Sequence, residues 1–97
     1  MTVKELLSDP KSWTQFHAAQ DKNGSPVFTD DPTAVCWCLS GAVQKVYGPE
    51  IEIPIYDKIR AAIRKFHPML IDNVVFFNDD PNTTHEMVMQ VLEEAGV

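Results

Sequence analysis

Apolar positions along the chain fall into a few runs with helical spacing. The widest is Val35, Cys38, Leu39, Ala42, Val43 and Val46, one broad stripe of an amphipathic helix. Asp31 suits its N-cap and Pro32 its first position, where a missing N–H is harmless. Gly48-Pro49 gives the stop. The pattern predicts a central helix over about residues 32–47, covered on more than one side. A second stripe, Ile55, Ile59, Ala62, Ile63 and Phe66, follows Pro54 and ends at His67-Pro68. Val88, Val91, Leu92 and Ala95 form a third, opened by a Thr83/Glu86 capping-box pair and closed by Gly96. Thr2 and Glu5 repeat that spacing before Leu6 and Leu7, predicting a short opening helix over 2–8 in which Val3 joins the apolar face. The expected fold is mainly α, a bundle of about four helices around the central one.

Between these runs the pattern changes. Asp21-Lys22-Asn23-Gly24-Ser25 is a turn signal, and its flanks predict a short β-hairpin near 14–29, limited by Pro26. Residues 50–53 read as a short alternating connector. Met69–Phe77 reads as a buried connector, irregular or briefly helical, and residues 78–82 as a loop.

The 97 residues, 44% of them hydrophobic, fit a single domain over 1–97 with one modest core. No apolar run approaches the roughly 20 residues that cross a bilayer. The first ten residues lack the features of a signal peptide, so a cytoplasmic location is expected. A net charge of −6 disfavours nucleic acid and anionic membranes as partners. Cys36 and Cys38, placed on one helix, point about 200° apart and read as reduced thiols, since C-x-C alone is not a zinc site. No cofactor or metal is expected.

Trp37-Cys38-x-x-Gly41-Ala42 occurs together with Trp13, the Asp21/Gly24 turn, the Asp-Pro before the central helix, and Asn78-Asp79 followed by Thr84. In these residues the chain resembles, over nearly its whole length, a family of small bacterial and phage proteins of unknown function. The resemblance implies a mainly helical domain from bacteria or their viruses, and carries no activity with it.

The candidate chemistry is sparse. A Cys-His-Asn hydrolase needs a thiolate nucleophile (Cys38 or Cys36), a base (His85 or His17) and an orienting group (Asn78 or Asp79), and no spacing specifies the set. The simpler reading of Cys38 is a small buried hydrophobe. Gly41 inside a helix costs up to about 1 kcal/mol, which implies a close packing contact, expected from the last helix or Phe76-Phe77. Asn78 and Asp79 suit backbone hydrogen bonds where regular structure stops; with Thr84 they are also candidate binding residues. Arg60 and Arg64 belong to a basic cluster that reads as a solvated face, or as a site for a phosphate or an acidic partner. The sequence favours a non-enzymatic binding or regulatory module acting through a protein partner; the alternative is the cysteine-dependent hydrolase.

Overall fold

The structure is a computed structural model that describes residues 1–48 and 52–97. Among these residues lie five α-helices: α1 (Val3–Leu6), α2 (Leu39–Tyr47), α3 (Glu52–Phe66), α4 (Val74–Asp79) and α5 (His85–Ala95). Two short antiparallel strands accompany them, β1 (Ala19–Gln20) and β2 (Cys36–Trp37). The mainly helical fold with a small antiparallel ribbon matches the sequence expectation.

Its centre differs in detail. The central helix begins at Leu39, seven residues later than the pattern predicts. Asp31 does accept hydrogen bonds, but from the Thr33 N–H and hydroxyl, while Ala34 N–H donates to the Asp31 carbonyl. Asp at the first position with Pro at the second serves a β-turn as well as a helix start. Beyond that turn the β-prone Cys36 and Trp37 extend and pair with Gln20 and Ala19. Val35 stays exposed, and the buried stripe of α2 is Leu39, Ala42 and Val43, with Val46 half-buried. Gly48 ends α2 at φ 75°. The expected hairpin partner, residues 26–29, makes only one bridge, Gln20 to Pro26, although the Asp21–Ser25 turn closes as read. Proline supplies no N–H for a longer ladder.

Thr2 and Glu5 form both halves of the capping box of α1. The 50–53 connector falls partly outside the described residues; Glu52 and Ile53 belong to α3. Ile55, Ile59, Ala62 and Ile63 are its buried side, and Phe66 is half-buried. In the segment read as a buried connector Val74 and Phe77 turn inward, one helical turn apart, and Leu70 packs partly on the core, while Val75 and Phe76 are exposed. Asn78 and Asp79 complete α4 instead of opening a loop. Thr84, not Thr83, caps α5 by accepting from Met87 N–H; Thr83 is buried and its hydroxyl has no partner among the described residues. Gly96 ends α5 in the left-handed region.

Packing follows these faces. α5 lies chiefly on α3 and also meets α1, while α4 and α1 cover α2. The last helix thus lies mainly on α3 and α1, and less on the central stripe. Lys4 N–H donates to the Val97 carbonyl, joining the two ends of the described chain.

Candidate functional site

Asn78 is buried at the meeting point of three segments (1% exposed). Its Oδ1 accepts from Trp13 Nε1 at 2.7 Å and from Leu39 N–H at 3.0 Å. Its Nδ2 donates to the Thr14 carbonyl at 3.1 Å and to Asp79 Oδ1 at 2.8 Å. Gln15 Nε2 donates to the carbonyls of Asn78 and Asp80. One side chain thus uses all four of its hydrogen-bonding positions to tie residues 13–16 and the start of α2 to α4. Asp79 Oδ1 also accepts from the N–H of Phe16, a residue that sits at φ 72° and is 71% exposed. That conformation is uncommon for a bulky residue and is held by the surrounding bonds.

Gly41 has its close contact, with a partner the sequence did not indicate. A Cβ at this position would overlap the Ala18 carbonyl, lying 2.8 Å from its carbon. The same carbonyl accepts from Cys38 N–H. Cys38 is the N-cap of α2: Gly41 N–H donates to its Sγ at 3.3 Å, and Ser40 Oγ lies 3.2 Å from that sulfur. Cys36 Sγ faces Gln20 Oε1 at 3.6 Å. Trp37 is buried and donates from Nε1 to the Thr29 carbonyl. Each residue of the W-C-x-x-G-A run therefore has a place in the strand-to-helix turn.

The hydrolase candidates are brought near one another without forming a catalytic line. Asn78 touches the residue after Cys38, but His85 directs Nε2 at the Leu7 carbonyl, 2.7 Å away, and packs its ring near Trp13. Trp13 stands between them, bonded to Asn78 on its nitrogen and facing His85 with its ring. His17 is exposed. Among the described residues neither thiol is hydrogen-bonded to a histidine, and no group of three or more His, Cys, Asp or Glu is arranged to hold a metal. Thr84 uses its hydroxyl on the start of α5.

An open concavity lies elsewhere. A groove of about 590 Å³ runs between α3 and α4, lined by Ser40, Tyr56, Arg60, Ile71, Val74 and Val75 among others. Arg60 Nε donates to the Asp72 carbonyl and Arg64 donates to the Asp72 carboxylate at 2.7 Å. The Arg64 hydrogen bond, with the Arg60 charge behind it, holds the Asp72 carboxyl below its ordinary range. Ile53, Ile71 and Val75 line this groove and leave apolar surface open there, and Phe76, next to Val75 on α4, is also exposed. Sequence reasoning found Arg60 and Arg64 but missed the apolar wall. The available signal was the crowding of four consecutive apolar residues, Val74–Phe77, into a stretch too short to bury all of them.

The fold and surface define a small, mainly helical domain with a polar internal clasp and an apolar groove. The chain belongs to a family of unknown function (DUF6197), whose family model matches residues 2–96. No curated protein and no solved structure matches it. No helix among the described residues is long and apolar enough to cross a membrane.

Proposed function

We propose that this chain is a non-enzymatic binding module of a bacterium or its virus, working in the bacterial cytoplasm by docking a protein partner on the groove between α3 and α4. The observation that carries the reading is the contrast in side-chain use. Asn78, Cys38, His85 and Thr84 are occupied with backbone groups of this chain, while Ile53, Ile71 and Val75 present apolar surface in a groove. Exposed apolar surface of that kind marks interaction sites, and a guanidinium on the wall fixes orientation more than affinity. Acidic composition is consistent with a protein partner and against nucleic acid or membrane. The test is affinity capture with the purified chain against Val75→Asp and Ile71→Asp, each shown folded by circular dichroism. Partners lost in both variants and kept in Cys38→Ser are expected. An unchanged capture pattern, or ester hydrolysis by the wild type that Cys38→Ser abolishes, contradicts the reading.

A further inference from the structure

We propose that the loop over residues 26–31 docks a cationic segment of a protein partner, with an arginine side chain laid on the Phe28 ring and its charge met by Asp30 and Asp31. Phe28 is 82% exposed, the most open aromatic residue among those described. Its loop is pinned on both sides. Val27 N–H donates to the Ala19 carbonyl of β1, and Trp37 Nε1 of β2 donates to the Thr29 carbonyl. Asp31 N–H donates to the Phe28 carbonyl and closes a turn directly after the ring. An aromatic side chain held in water gains the fold nothing, and it is the kind of rigid anchor that interfaces use. Two hollows, of about 580 and 390 Å³, share Val27 and Phe28 as lining residues. Among the described residues the charged side chains lining them are Asp30 in the larger and Asp31 in the smaller. Asp30 has no hydrogen bond or ion pair through its carboxylate among the described residues. Asp31 accepts from the Thr33 hydroxyl and N–H, which hold its carboxyl below the ordinary range and keep it charged at neutral pH. Lys22 on the adjoining turn and Lys45 on α2 form no ion pair with either aspartate. An exposed ring beside carboxylates that lack a cation suits a guanidinium, which is planar, weakly hydrated and stacks on aromatic faces. The two hollows share no lining residue with the groove between α3 and α4, so this is a second face, independent of the first.

The test is an NMR titration of the isotope-labelled full chain with a capped peptide of alternating arginine and leucine at low salt. Amide shifts are expected to gather at residues 26–31, with a dissociation constant of about 1 mM or below. A peptide with citrulline in place of arginine keeps the shape without the charge, and is expected to leave those amides unmoved. Phe28→Ala and Asp30→Asn should each weaken binding at least about threefold. Glu86→Gln removes the same charge from α5, and Val75→Asp spoils the groove between α3 and α4; neither should weaken it. Phe28 and Asp30 are both exposed, so the two variants are expected to fold, and Asp30→Asn decides the matter should Phe28→Ala fail to. No shift at residues 26–31, shifts spread over the acidic surface, or a loss with Glu86→Gln equal to that with Asp30→Asn overturns the site. Spermidine bound as tightly as the arginine peptide overturns a peptide as its occupant. Binding lost in Val75→Asp and kept in Phe28→Ala overturns this face in favour of the groove, whose own capture test is read separately.

Discussion

The Asn78 clasp and the α4 face are adjacent stretches of one short helix with opposite character. At the clasp, polar atoms are buried and matched: Asn78 reaches Trp13, Thr14, Leu39 and Asp79, and Gln15 closes over two carbonyls. One turn earlier, Val75 and Phe76 are apolar and open. Burying polar groups is tolerated only when each is bonded, so a matched cluster is a device for fixing chain geometry. Leaving apolar groups in water gains the fold nothing. The difference separates the residues that hold the molecule together from those that face outward, and it makes their substitutions behave differently.

Gly41→Ala is expected to have the largest effect. Its methyl has nowhere to go, because the obstruction is the Ala18 backbone and not a flexible side chain. A loss of about 3 kcal/mol or more is expected in urea unfolding, despite the better helix propensity of alanine. Asn78→Ala should follow closely. It leaves Trp13 Nε1, Leu39 N–H and the Thr14 carbonyl without their partner, and a loss of about 2–3 kcal/mol is expected from the same measurement. Phe16→Gly should move the other way. Relief of the left-handed strain outweighs the added freedom of the unfolded chain, so stability is expected unchanged or raised by up to about 1 kcal/mol. A loss there would mean that the Phe16 ring packs on the domain.

Acid should erode stability modestly. Hydrogen bonds lower the carboxyls of Glu5 (from the Thr2 N–H), Asp31 (from the Thr33 hydroxyl) and Asp72 (from Arg64). Each pKa is depressed in the folded state, so its contribution is complete above the unfolded value near about 4 and is lost as pH falls through the folded value. Melts from neutral pH down to about 3 check this, and Asp72→Asn should flatten the slope in that window. The smallest effect is expected at the α4 face: Val75→Asp and Phe76→Asp should shift stability by no more than about 0.5 kcal/mol.

Much of the helical frame was legible because its signals are local. The capping box at Thr2, the stripe Ile55–Ile63 and the Gly96 stop each depend on residues a few positions apart. The start of α2 was not legible. Asp31-Pro32 serves two structures equally, and the choice is made by pairing with Ala19–Gln20, sixteen to eighteen residues away. Asn78 was readable as a residue that satisfies backbone groups, but its partners Trp13 and Thr14 lie 65 and 64 positions away and no spacing names them. Gly41 announced a close contact without saying with what. The apolar wall of the groove was read as buried because Val74–Phe77 is uniformly apolar, and only two of its four residues find the core.

The separation of the clasp from the exposed α4 face is tested most directly by urea unfolding of Asn78→Ala and Phe76→Asp beside the wild type. The midpoint is expected to fall well below wild type for Asn78→Ala and to stay with wild type for Phe76→Asp. Equal midpoints for the two variants, or a larger loss in Phe76→Asp, would contradict the account.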